Sequence, residues 1–485
     1  MAQQQQQRPG IRRKVRLPLI GAYSNRSNDP DKDQRFVNAF PETRKVEQLD
    51  NTRIYINKRP GLVEVANVAA DAQGRGITYF SGFFYTIIGN TVYKVSTDGT
   101  SITSKITLPS STGACGILSC NSSIIGDYIF ICDGTVGWII KSDHTTTQIT
   151  DSDFPTPHVP SPAFIDGYVL LAKGSDVFNC DVDNPLSWSP DQYLSAEMFP
   201  DPIKALARQN NQIVVLGEYS TEFFYDAANA SGSPLSRNDA AVIQFGIAAP
   251  YSVYQNEQFC AWVSQSNSGG RGVWVLEGFK PRKVSDEYID RILDAESDMS
   301  VVHGYGFRTM GHLFFLINLP TQHRTLVYDM DEKLWHEWTS WSSGREHEVF
   351  LYNHVTDINT GYVYLLSSVH GDIYKLDPSY YQDETDPITV EIRTNKYDMD
   401  TYNRKFGSIV RIVGDRYSTS NAIDLSWTDD DYQTYPVTAS IDLNDDYPAY
   451  QRLGSFRRRA WKIKHALNKP LRLEALELVY DEGTT

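Results

Sequence analysis

The sequence predicts an all-β chain: a β-propeller of six or seven blades, a C-terminal β-sandwich and an extended, basic N-terminal arm. Three observations carry this expectation. Paired apolar strands recur at a near-constant spacing, helical periodicity is almost missing, and the recurrence stops after Pro387 while short strands continue. Aromatic residues make up 12% of the 485 positions, with 29 tyrosines, 21 phenylalanines and 9 tryptophans. Flat side chains of this kind suit a pleated surface. The expected division is an arm with the leading strands over 1–70, the propeller over 71–382 and the sandwich over 383–485.

The arm comes first. Residues 1–60 hold 13 Lys/Arg against 6 Asp/Glu, leaving the rest of a chain of net charge −15 strongly acidic. A basic segment on an acidic body reads as a tether to an acidic partner, such as another copy, or as a solvated tail. It has no apolar stretch of signal-peptide length, and no run in the chain reaches the ~18–20 apolar residues that span a bilayer. Arg12, Arg13, Lys14 and Arg16 are the candidate contacts here.

The repeating region follows. "ITYFSGFFYTIIGNTVYKVSTDG" (77–99) sets the pattern: an apolar strand, a turn, then a second strand ending near an acid. It returns at 123–143, 163–183, 211–226, 258–278, 311–338 and 361–377. Starts lie roughly 40–55 residues apart, as in propeller blades, which stack radially because none can bury both faces alone. Alternation puts Phe84, Thr86 and Ile88 on one face and Tyr85 and Ile87 on the other, both largely apolar. "VYDMDEKLWHEW" resembles a kelch-type blade end, with Asp329 in a turn and Trp335 and Trp338 wedged between blades. "DEYIDRILDA" (286–295) is the one helix expected. After "DPSYYQDETDP" (377–387) the strands "SIVRIVGDRY", "AIDLSWTDDDYQTY", "RAWKIKHAL" and "LRLEALELVY" suit a sandwich.

Signatures of chemistry are scarce. The chain has no phosphate-binding P-loop, no G-x-S-x-G elbow and no H-E-x-x-H pair. Asp29, Asp31 and Asp33 imitate a calcium loop, but Gln34 stands where its glycine belongs and Phe40 where its glutamate belongs. "TDDDYQTY" (428–435) is a degenerate Asp-box with Tyr432 in the glycine position. His336, His347, His354 and His370 read as strand-edge or loop histidines. The five cysteines form no C-x-x-C pair and read as buried thiols, which favours a reducing cytoplasm. No cofactor or metal is expected.

The last candidate is "RRRAWKIK". Alternation places Arg459, Trp461 and Ile463 on a buried face and Arg458, Ala460, Lys462 and Lys464 on the other. Subunit contact by Arg457, Arg458 and Arg459 is preferred to a plain solvated strand, and both to nucleic acid, for which no reading helix is present.

Three segments in order resemble one family. "RSNDPDKDQRFVNAFPE" (26–42) with "NKRPGL" (57–62), "GEYSTEFFYDAANASGSPL" (217–235) and "RLGSFRRRAWKIKHALNKPLRLEALEL" (452–478) resemble the tail hub, or nozzle, proteins of short-tailed P22-like bacteriophages, also called packaged-DNA stabilization proteins. The resemblance implies a virion protein assembled in the host cytoplasm. Six copies would form a ring below the portal and its adaptor, carry fibres, spikes or a needle, and retain DNA until ejection. The DNA would cross the lumen without sequence-specific binding. The negative charge outside the arm, for its part, is expected to lie partly on the wall facing the ring axis, where it would repel phosphates. The alternatives are a propeller glycosidase or lyase, which needs convergent carboxylates on the axis, and a kelch-like binding module.

Overall fold

The computed structural model describes residues 12–21, 34–46, 51–69, 72–199, 201–256, 258–342 and 345–483. They form two compact units. One runs over Val63–Lys333 and Glu348–Leu376, the other over residues up to Leu62, Leu334–His347 and those from Asp377. The asparate turn at residues 29–33 lies outside the described residues.

The larger unit is a propeller with seven blades among the described residues. Blades 1 to 4 are four-stranded antiparallel sheets over 74–107, 116–148, 163–195 and 203–237. Blade 5 spans 246–283, with its innermost strand in two short pieces, Gly246–Ile247 and Tyr254–Gln255. Blade 6 gives this unit His303–Thr309, His312–Leu319 and Arg324–Asp329. Blade 7 has Leu351–Thr356, Val363–Ser367 and Gly371–Asp377, and its outermost strand is Gly61–Ala69, from before blade 1. Innermost strands of successive blades lie side by side, and that of blade 7 lies beside that of blade 1, so the ring closes. Taking one strand from the far end of the sequence ties the first blade to the last.

Packing follows the alternation. Phe84 and Ile88 share a cluster with Tyr364, Leu366 and Ile373 of blade 7. Tyr85 and Ile87 point the other way, into Ile129, Ile131 and Ile140 of blade 2. Blade 1 therefore buries both faces, as radial stacking demands. Further clusters join blades 2 and 3, 3 and 4, and 4 and 5. Inner strands approach closely enough to require glycine: a Cβ on Gly304 would sit 2.5 Å from the Ser252 carbonyl oxygen.

The expected helix is present at Glu287–Asp294, begun by Asp286, whose carboxylate accepts from the Tyr288 and Ile289 amides. No helix among the described residues is long and apolar enough to cross a membrane. Four of the five free thiols are buried and Cys115 is half-buried. Burial pushes the Cys115, Cys180 and Cys260 thiols up to about 12.

The smaller unit has two sheets around one apolar cluster. In the first, Arg472–Glu482 lies between Lys405–Gly414 on one side and Arg12–Pro18 with Asn51–Lys58 on the other. In the second, the order is Leu334–Trp338, Arg35–Val37, Val390–Arg393, Ala460–His465, Ala422–Thr428 and Thr438–Asp442. The cluster draws Leu17 and Ile56 together with Leu425, Trp461 and Leu476.

These units correct the expected division at 70 and 382. Residues 383–485 do not make their sheets alone, because strands before residue 62 complete them, and the strand closing the propeller also precedes residue 70. Trp335 and Trp338 belong to the smaller unit, where Trp338 stacks 5.5 Å from the Arg59 guanidinium instead of wedging between blades. Asp329 does cap a turn, accepting from the Asp331 and Glu332 amides.

Candidate assembly surface

The segment "RRKVRLP" (Arg12–Pro18) is a strand because its alternate residues can be buried: Leu17 is 3% exposed and Val15 half-buried against the cluster. It runs antiparallel to Arg472–Glu482, from Arg12 opposite Asp481 to Pro18 opposite Ala475. The solvated-tail reading of the arm is thereby corrected for Arg12–Pro18; residues 1–11 lie outside the described ones.

The pairing sets a basic stripe against an acidic one. Arg13 meets Glu482 at 2.7 Å, Lys14 meets Glu477 at 2.8 Å and Arg16 meets Glu474 at 2.8 Å. Glu477 also receives Arg411 at 3.3 Å, and Glu474 receives Arg53 at 3.9 Å. The three bases of the strand remain half exposed, so each bridge is worth about 0–1 kcal/mol. The free edge of Arg12–Pro18 has no strand partner among the described residues. Beside it a cavity of about 380 Å³ is lined by Arg16, Leu19, Ile20, Arg53, Ile54 and Glu474. An unpaired edge with charges and an apolar wedge is a surface on which another chain can add.

The arginine triplet divides. Arg458 is exposed and without a charged partner among the described residues. Arg457 is half-buried, donates to the Tyr402 carbonyl at 2.7 Å and lies 5.2 Å from that residue's ring, itself 70% exposed. Arg459 is not a surface contact, which corrects its place among the candidates. It is 2% exposed and grips Asp429 with both arms of its fork at 2.7 Å. Its third bond goes to the Leu453 carbonyl, and Phe456, Trp427 and Trp461 surround the guanidinium. Its side is the one alternation assigns it, with Trp461. Alanine at Arg457 or Arg458 is expected to change stability by less than about 0.5 kcal/mol. Arg459→Lys loses the fork and should cost about 2 kcal/mol in urea unfolding. Equal effects at all three positions would contradict this division.

The remaining sequence candidates are structural or separate. Asp430 anchors the 428–435 turn, accepting from Thr428, Gln433 and Thr434, and these bonds hold its carboxyl far below the usual range. Tyr432 takes the left-handed conformation, φ 68°, in the position where glycine would be relaxed. His336 and His347 belong to the smaller unit and His354 and His370 to the propeller. At one end of the propeller axis, where chain segments enter the inner strands of six blades, lies a cavity of about 150 Å³. Arg75, Cys115, Tyr251, His303 and Tyr352 line it with Gln73, Asn353 and smaller residues, and among the described residues no carboxylate does. His303 is stacked between Tyr251 and Tyr352, 5.2 and 4.1 Å away, and burial brings its imidazole down to about 4.

Sequence reasoning missed Glu474, Glu477 and Glu482. Their signal is the acid spacing in "LEALELVYDE", legible only once its partner strand is known.

A family model described as bacteriophage P22 Gp10, β-propeller, matches residues 15–381. A search of curated proteins finds no match. Among solved structures, the chain is similar to a streptogramin B lyase (TM-score 0.42, 11% identity, 66% of this chain and 98% of that one). It is also similar to U3-55K (0.42, 11%, 65% and 99%) and to the Pan2 WD40 domain of Neurospora crassa (0.40, 8%, 66% and 96%). Likenesses of this size speak of neither ligand nor activity.

Proposed function

Because the chain belongs to the family of the bacteriophage P22 Gp10 β-propeller, tail-associated proteins that stabilise packaged DNA, we propose that it is a ring-forming structural part of a short phage tail. In this reading six copies extend the DNA channel below the portal and adaptor, hold fibres or spikes and help retain the genome until ejection. The copies are made and assembled in the host cytoplasm. No catalytic step is assigned to them.

The family match over most of the chain carries the reading. Three features support it. The axial cavity offers no carboxylate pair of the kind a glycosidase needs. The basic stripe at Arg13, Lys14 and Arg16 borders an unpaired strand edge, which suits a contact with a neighbouring copy. A chain of net charge −15 also suits DNA that slides past without being held.

The test is size-exclusion chromatography with light scattering, with and without the adaptor. A ring of copies is expected for the natural chain. The Arg13→Ala/Lys14→Ala/Arg16→Ala variant should keep its thermal midpoint within a few degrees, because the bridges it removes are weak, yet form rings at least tenfold less readily. A chain that stays monomeric beside its adaptor would refute the ring. A variant that assembles normally would remove the stripe from the interface.

A further inference from the structure

Blades 4 and 5 of the propeller enclose a recess that the assembly reading does not use. Its volume is about 990 Å³, at the upper end of the roughly 300–1,000 Å³ found for small-molecule sites. It opens where the first two strands of blade 4 turn (Asn210, Asn211), where that blade's third strand ends (Tyr225, Asp226), and at the last turn of blade 5 (Gly278, Phe279).

The floor is fixed by hydrogen bonds that join the blades. Gln209, 3% exposed, donates from Nε2 to the Gln258 and Leu276 carbonyls at 2.9 and 3.0 Å. The Arg208 amide donates to Gln255 Oε1 at 2.6 Å, and the Arg208 guanidinium is held by the Asn210 and Phe164 carbonyls. The walls differ. The side-chain amides of Asn211 and Gln212 have no hydrogen-bond partner among the described residues, although both line the recess. Tyr225 and Phe279 are 40% and 44% exposed, and Phe279 is braced edge-on by Phe223 at 5.2 Å. Asp226 spends one carboxylate oxygen on the Ala228 amide, leaving the other open.

Exposed rings beside unpaired amides and a carboxylate suit a ligand that has apolar C–H faces and rows of hydroxyls on the same body. A purely apolar ligand would leave Asn211, Gln212 and Asp226 desolvated and unpaired, which opposes its binding. An anionic ligand would meet Asp226 within a chain of net charge −15, and the guanidinium in the lining, Arg208, is already turned to the Asn210 and Phe164 carbonyls. We propose that this recess binds a neutral oligosaccharide. Tyr225 and Phe279 stack on its pyranose faces, and Asn211, Gln212 and Asp226 take its hydroxyls in the paired donor and acceptor geometry that amides and carboxylates offer. The floor is already ordered, so binding need not organise it. The site does not depend on ring assembly.

Saturation-transfer NMR on the full-length protein tests this with a panel of neutral tetra- to hexasaccharides of glucose, galactose, mannose and rhamnose, and with oligo-uronates of the same length. At least one neutral saccharide is expected to bind with millimolar or tighter affinity. Phe279→Ala, Tyr225→Ala and Gln212→Ala should each weaken it at least fivefold, with unchanged thermal midpoints because all three side chains reach the surface. Silence from every neutral saccharide at ten millimolar overturns the proposal. So does binding that Phe279→Ala and Gln212→Ala leave intact, which would place the sugar elsewhere. Uronates that bind as well as neutral chains would overturn the assigned ligand class.

Discussion

Replacing Arg59 with alanine is expected to remove about 3–5 kcal/mol from the stability of the smaller unit, because it strands a buried carboxylate. Arg59 is 1% exposed and Asp383 6% exposed. The guanidinium donates to both Asp383 oxygens, at 3.0 and 2.6 Å, to Asn38 Oδ1 at 2.8 Å, and to the Thr339 and Pro60 carbonyls at 2.9 and 3.0 Å. Asn38 in turn donates to Thr339 Oγ1 at 2.8 Å and accepts from the Thr339 amide at 2.8 Å. Three separate stretches of sequence thus meet at one side chain. Lysine cannot replace it, having no planar fork. Asp383→Asn should cost nearly as much as Arg59→Ala, whereas Arg59→Met with Asp383→Leu should recover part of the loss by removing both charges. Urea unfolding of the full chain, followed by a probe in the smaller unit, measures these values. A loss below 1 kcal/mol for Arg59→Ala would mean that the network is loose in solution.

This network explains "NKRPGL" physically. Arg59 needs its partners, and Gly61 needs to be glycine because a Cβ there would sit 2.2 Å from the Gln382 carbonyl oxygen. The motif could be recognised in sequence, but its reason could not, since Thr339 and Asp383 lie about 280 and 320 residues away. The same limit governs the rest of the fold. Period-two alternation in "FFYTII" was legible because a strand's two faces are a local property, and the structure buries both as read. The pairing of Arg12–Pro18 with Arg472–Glu482 was not legible, because charge composition alone cannot distinguish a solvated basic tail from an edge strand whose acids lie at the other end of the chain. Arg459 falls between these cases. Alternation put it beside Trp461 on the buried face, yet three arginines in a row still looked like one surface feature. Asp429, its partner, comes from a different strand end and settles the matter. The amide-rich recess left no signature either. Asn211, Gln212 and Phe279 come together only when blade 5 stacks on blade 4.

Acid should weaken the smaller unit well before its carboxylates are titrated, through His465. That imidazole is 2% exposed, its Nε2 donates to Asn421 Oδ1 at 2.9 Å, and its Nδ1 has no partner among the described residues. Burial first, then the nearby Lys58 and Lys469, brings it down to about 3 from an ordinary value of 6.5. Below pH 6.5 the unfolded chain therefore takes up a proton that the folded chain refuses. Stability is lost as pH falls from 6.5 towards 3, by up to ~1.4 kcal/mol per pH unit, or about 3 kcal/mol at pH 4. Lys58 tilts the curve the same way in a second window. Its ammonium is buried, with Leu467 O at 2.7 Å, and burial followed by the Arg59 charge lowers it from 10.5 to about 7. Between those values the unfolded chain holds the proton and the folded chain sheds it, so stability also falls as pH drops from 10.5 towards 7. His465→Gln keeps a donor for Asn421 without a titrating ring. It should flatten the urea midpoint between pH 6.5 and 4 while leaving the slope above pH 7 in place; Lys58→Met should do the reverse. If His465→Gln loses stability with acid as steeply as the natural chain, the acid sensitivity lies elsewhere and His465 takes up its proton without cost to the fold.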